Sequence, residues 1–117
     1  MAAKNTPHSE LTDPVIDLVA ERFRVLGEPM RIKLLNELRE RDLTVNELRE
    51  ATGASQQNVS KHLGILLQAG MVDRTKDGNQ SRYSIADPGV FELCELVCGG
   101  VRRRLDALDQ ILRSAAA

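Results

Sequence analysis

Aromatic rings are scarce in this 117-residue chain, with no Trp, one Tyr and two Phe, so Leu, Ile and Val must fill any core it forms. Cysteine and histidine are as sparse. Cys94, Cys98, His8 and His62 are too few for a secreted disulfide framework. No stretch approaches the roughly 18 uninterrupted apolar residues of a spanning helix. The opening MAAKNTPHSELTDP has no apolar stretch behind a basic head. No membrane partner is therefore expected, and the chain reads as cytoplasmic. Neither sign of charge dominates: 16 Lys and Arg stand against 17 Asp and Glu, a net charge of −1. Binding to a polyanion then depends on where the positive charge lies. There is no glycine-rich phosphate loop and no His/Asp/Ser arrangement at meaningful spacing, so catalysis is not expected.

What is present suits one small globular domain, with 42% apolar and 28% charged residues. Residues 1–12 are polar and aperiodic and read as a flexible arm, the domain runs over 13–113, and 114–117 read as a flexible tail. Asp13-Pro14 is a cap-and-first-turn pair, followed by a stripe of Val15, Leu18, Val19, Phe23 and Leu26 that ends at Gly27. Pro29 opens a second helix in which Ile32, Leu34, Leu35 and Leu38 are expected to be buried. Thr44 and Glu47 have capping-box spacing, with Thr52-Gly53 as the stop. Ser55 caps a further helix that turns Val59, Leu63, Leu66 and Leu67 to one side and stops at Gly70. MVDRTK and SRYSIA, separated by DGNQ, read as a hairpin. After Pro88 a helix of about two dozen residues carries Phe91, Cys94, Val97, Cys98, Val101, Leu105, Leu108 and Leu112 on one broad side, more apolar surface than a small core uses. The fold class is mostly α with a small β-hairpin: a winged helix-turn-helix dimerising through its terminal helices. Val15, Val19, Phe91, Val97, Val101, Leu105 and Leu108 are the candidate interface.

Two short helices around Gly53, the second polar at its leading end, form a unit that can seat in a DNA groove. Gln56, Gln57 and Asn58 carry paired donors and acceptors suited to base edges, adenine especially, while Ser55, Ser60, Lys61 and His62 suit phosphate or mixed contacts. Arg74, Lys76, Asn79, Gln80 and Arg82 belong to the wing. Between Ser55 and Arg82 the four cations outnumber Asp73 and Asp77, a local net charge of +2 within a chain that is slightly negative overall. The partner expected is double-stranded DNA. A protein-interaction module that uses the same polar face without sequence-specific DNA binding is the alternative. Arg31, Lys33, Arg39 and Arg41 read mainly as solvent-facing residues of the second helix.

In the order Leu26-Gly27-Glu28-Pro29-Met30-Arg31, Ser60-Lys61-His62-Leu63, Ala69-Gly70-Met71-Val72 and Arg82-Tyr83-Ser84-Ile85, the chain resembles the ArsR-type winged-helix family of arsenical and metal-responsive repressors. The resemblance covers roughly residues 20–86, and the long last helix extends it almost to the end. It implies a homodimer whose two recognition helices bind an inverted repeat near a promoter and are released when an inducer changes the dimer geometry.

No cofactor is expected to be required for DNA binding. Cys94 and Cys98, four residues apart on the apolar side of the last helix, are either packing residues or a sensing pair for a thiol-reactive inducer such as a soft metal, an arsenical or an oxidant. The cysteine-bearing stretch that many relatives carry before the recognition helix is here Leu43-Thr44-Val45-Asn46-Glu47-Leu48, without a cysteine. Which metal, if any, binds is left open: a tetrahedral Zn site needs two more ligands and a three-sulfur arsenical site one more thiolate.

Overall fold

The computed structural model describes residues 11–116. Most of the arm expected over 1–12, and His8 within it, lies outside the described residues, as does Ala117. The chain divides into two units, residues 1–86 and 87–117.

In the first unit, α1 (Asp13–Leu26) has Thr12 at the N-cap position, without a side-chain cap bond, so Asp13 is a first-turn acid at the positive helix end and not the cap the sequence suggests. Glu28 caps α2 (Pro29–Leu38), its carboxylate accepting from the Met30 and Arg31 amides at 2.8 and 3.2 Å. The Thr44–Glu47 capping box forms in full at the start of α3 (Val45–Thr52). Thr44 Oγ1 accepts from the Glu47 amide and Glu47 Oε1 from the Thr44 amide, at 3.2 and 2.9 Å. Gly53 turns the chain at φ +74°, a left-handed conformation that side chains resist, and Ser55 Oγ then caps α4 (Gln56–Gln68) by accepting from the Asn58 amide.

The hairpin consists of β2 (Val72–Asp77) and β3 (Gln80–Ile85), and both strands reach further toward the turn than MVDRTK and SRYSIA suggest. Asp77 pairs with Gln80, so the loop is only Gly78-Asn79, with Gly78 at φ +66° in the first loop position. A third strand, β1 (Leu43–Thr44), has no counterpart in the sequence reading. It pairs antiparallel with β3, giving the order β1-β3-β2.

Leu34, Leu35 and Leu38 of α2, Leu48 of α3 and Val59, Leu63 and Leu66 of α4 form the core with Leu43, Met71, Val72 and Tyr83. Val25 of α1 is also buried. Ile32, expected inside, is 46% exposed because it lies off the arc of α2 that carries the three buried leucines.

The second unit is one helix, α5 (Gly89–Ala116), of 28 residues and about 42 Å at 1.5 Å per residue. Residues 114–116, expected as tail, continue it. From Val101 to Ala116 every residue is exposed, including Val101, Leu105, Leu108, Ile111 and Leu112. No helix among the described residues is long and apolar enough to cross a membrane.

Candidate nucleic-acid interface

The leading half of α4 has two unlike sides. Val59 and Leu63 are fully buried, whereas Gln56, Gln57, Ser60 and Lys61 are exposed and Asn58 is half-buried. The period of the helix separates them: residues 59, 63 and 66 follow the inward stripe, and 56, 57, 60 and 61 fall outside it. Ser55 is exposed, but its hydroxyl is committed to the Asn58 amide.

Across from this helix lies the wing. Arg74 and Lys76 are exposed on β2, and Asn79 and Gln80 at the turn. Gln56 and Ser60 share with Asn79 and Gln80 a polar groove of about 370 Å³, walled also by Asn46, Ser81 and Tyr83. Asn46 and Ser81 were missed in the sequence. The groove exists because β1 draws the start of α3 against β3, and a two-residue strand leaves no alternation to read. The groove walls are amides, hydroxyls, one phenol and the aliphatic Val45; the exposed cations nearest in sequence, Lys61, Arg74 and Lys76, carry no ion pair among the described residues.

Two expected contact residues already have partners within the chain. His62 is 7% exposed and faces away from the polar side of α4. Its Nδ1 lies 3.3 Å from Arg31 Nη1, and its Nε2 3.7 Å from Glu28 Oε2. A guanidinium only donates, so Nδ1 must offer its lone pair and the ring proton sits on Nε2, toward Glu28. Arg31 also donates from Nε to the Val25 carbonyl at 2.6 Å and is half-buried, so it is not the solvent-facing residue expected. Together Glu28, Arg31 and His62 join the end of α1 and the start of α2 to the middle of α4. His62→Ala is expected to destabilise the fold by about 1–3 kcal/mol by stranding Arg31, read as a lower urea midpoint, while the salt dependence of any DNA binding stays that of the unaltered chain.

Arg82 is the second. Its guanidinium donates from Nε and Nη2 to Asp77 Oδ2 at 3.1 and 3.0 Å and from Nη1 to the Asp42 carbonyl at 3.3 Å, with Glu47 Oε1 3.6 Å from Nη1. The guanidinium is thus already paired within the chain, with its side chain 36% exposed. At Glu47 the hydrogen bond from the Thr44 amide, helped by the Thr44 hydroxyl and by the charges of Arg82 and Arg41, holds the carboxyl below its usual range.

In the second unit Cys98 is exposed and Cys94 half-buried, and both are free thiols. Among the described residues no three His, Cys, Asp or Glu side chains gather as a metal site. Of the candidate dimer contacts, Val19, Val97, Val101, Leu105 and Leu108 are exposed, by 41, 59, 53, 60 and 46% respectively, and Val15 and Phe91 are half-buried.

Residues 28–74 match the family model described as bacterial regulatory protein, arsR family. The HTH-type transcriptional regulator Rv0081 of Mycobacterium tuberculosis is 43% identical over 83 residues, 70% of this chain and 73% of that protein. Its crystal structure superposes with a TM-score of 0.72, at 39% identity, covering 81% of this chain and 96% of the other. A probable mercury resistance operon repressor of Streptomyces lividans is 41% identical over 80 residues, 68% of this chain and 64% of that one. The homodimeric winged helix-turn-helix DNA-binding domain of Mb0332 from Mycobacterium bovis, at 26% identity and a TM-score of 0.71, covers 82% of this chain and 92% of its own. With a recognition helix, a wing and these relatives, the chain belongs to the ArsR family of DNA-binding winged helix-turn-helix transcriptional regulators.

Proposed function

We propose that the chain acts as a homodimeric repressor that lays its two α4 helices in successive major grooves of an inverted-repeat operator and lets go when an inducer reacts with Cys94 and Cys98. The observation that carries this reading is the two-sided α4. Gln56, Gln57, Ser60 and Lys61 stand in solvent on a helix whose other side is packed to zero exposure, beside a wing bearing Arg74 and Lys76. Gln57 and Gln56 are assigned to base edges, and Lys61, Arg74 and Lys76 to phosphates.

The reason for a homodimer lies in α5. Phe91, Cys94, Cys98, Val101, Leu105, Leu108 and Leu112 recur at alternating spacings of three and four, the pattern of a helix that packs on another helix along a seam. Val101, Leu105, Leu108 and Leu112 lie exposed in the single chain. A second copy covers this seam by symmetry and holds the two α4 helices at a fixed separation. The Mycobacterium bovis domain is itself described as homodimeric.

The spacing of the two sulfurs bears on the inducer. Side chains four apart on a helix have Cβ atoms about 5–6 Å apart, whereas a disulfide wants about 3.5–4.5 Å. An intact α5 therefore favours capture of a thiophilic ion between the two sulfurs over an intrahelical disulfide. Among the described residues the two sulfurs gather no third donor, so those residues do not make a closed zinc or three-sulfur site. Bulk or charge added on the apolar seam disfavours the paired shape, and the difference in inducer affinity between the two shapes shifts the population.

A selection on genomic DNA at two salt concentrations tests the reading. It should enrich an inverted repeat whose binding weakens as salt rises and is relieved by a thiophilic ion in the unaltered protein but not in the Cys94→Ser/Cys98→Ser form. No enrichment under any condition favours the protein-interaction module.

A further inference from the structure

We infer that Arg82 is a positioning residue that sets the wing against the start of α3 and does not itself touch DNA, an inference that rests on the DNA-binding reading of α4 and the wing. Residues directly opposite in an antiparallel ladder share a sheet face, and neighbours along a strand alternate. Arg74 is opposite Tyr83 and Lys76 opposite Ser81, so these four share one face of the sheet. Arg82 is opposite Thr75 on one side and Thr44 on the other, which puts it on the reverse face.

On that reverse face its anchors come from three segments. Asp77 closes β2, Asp42 precedes β1, and Glu47 belongs to α3 and completes the capping box with Thr44. One exposed ion pair holds little, but a planar guanidinium with several donors fixed to three segments constrains their relative angle. The wing needs such a tie, because a two-stranded hairpin is marginal alone and β1 adds only two residues of pairing. The angle of the hairpin decides where Arg74 and Lys76 meet the phosphates.

A double-mutant cycle separates this role from a phosphate contact by the sign of a coupling. The probe is the duplex ranked highest in selection by the unaltered protein, and the variants are Arg82→Ala, Asp77→Asn and both together. Asp77→Asn removes a negative charge near DNA, which by itself tightens binding. If Asp77 holds Arg82 in its positioning role, the substitution also loosens the wing, so binding is weaker by roughly threefold to tenfold with Arg82 present than the Arg82→Ala background predicts. If Arg82 reaches phosphate, freeing it from Asp77 tightens binding more when Arg82 is present than when it is absent. That sign, or no coupling, overturns the inference.

Arg82→Lys gives a second reading. It keeps the charge and loses the fork, so it should behave as Arg82→Ala; wild-type affinity in this variant contradicts the positioning role. Without DNA, Arg82→Ala should speed amide exchange over residues 75–82 and leave the α2–α4 core protected, and unchanged exchange there also overturns it. If the unaltered protein binds no duplex in a salt-sensitive way, the DNA-binding reading fails while the exchange measurement still decides what Arg82 does for the wing.

Discussion

Replacing Val97 and Val101 together by Asp is expected to leave a folded monomer whose operator affinity is roughly 100-fold or more below that of the unaltered protein. Both valines are more than half exposed in the single chain, so in a monomer the two new carboxylates sit in water. In a paired α5 the carboxylate at 101 would be forced into the apolar seam and the one at 97 against its flank, where burying an unpaired charge is very costly. The first unit carries its own core, from Val25 to Tyr83. The large affinity loss comes from chelation: once one α4 is seated, its twin is held at a high effective concentration over the second half-site, and a monomer has no such advantage. Sedimentation at micromolar protein together with far-UV circular dichroism checks it. A stable dimer carrying both substitutions would mean that the seam on α5 is not the interface.

The second large effect is expected on α4 itself, where Gln57→Ala and Lys61→Ala should weaken operator binding by different physics. A side chain reading a base edge with two hydrogen bonds is worth about 1–3 kcal/mol of discrimination. Gln57→Ala should therefore cost roughly tenfold or more in affinity for the operator and little for random duplex. Lys61→Ala should cost both duplexes alike and flatten the dependence of log affinity on log salt by about 0.9 for each protomer's lost phosphate contact. Neither should move the thermal midpoint appreciably, since both side chains are exposed and neither carries an ion pair among the described residues. Titrations of both duplexes at four salt concentrations distinguish the two roles, and unchanged affinity in both variants would place the recognition surface elsewhere.

The readable parts of the sequence were those in which one local rule governs one element. Thr44 and Glu47 announce a capping box because both partners lie within a single turn, and the box forms in full. Gly53 and Gly78 mark turns because those places demand positive φ, and both have it. The buried stripe of α4 follows from helical period alone. What escaped depended on contacts between segments distant in sequence. Strand β1 is two residues long and is a strand only because Tyr83 and Arg82 lie beside it. His62 reads as a polar residue on a DNA-reading helix, and only the arrival of Arg31 and Glu28 from 31 and 34 positions away makes it a satisfied buried side chain. Arg82 counts toward a local positive charge until Asp77 and Glu47 are seen to hold it. Lys61, Arg74 and Lys76, by contrast, carry no ion pair among the described residues.

The central claim is that two α4 helices, held by paired α5 seams, read two half-sites at a fixed separation. It is tested most directly by a spacing series: the selected inverted repeat is rebuilt with its half-site centres moved apart one base pair at a time, and the affinity of the unaltered protein is measured for each duplex. The account predicts a sharp optimum with half-sites about one DNA turn, or a multiple of it, apart, and loss of affinity when they are turned to opposite faces by about half a turn. The Val97→Asp/Val101→Asp form should be indifferent to spacing. Equal affinity of the unaltered protein across the whole series would contradict the account.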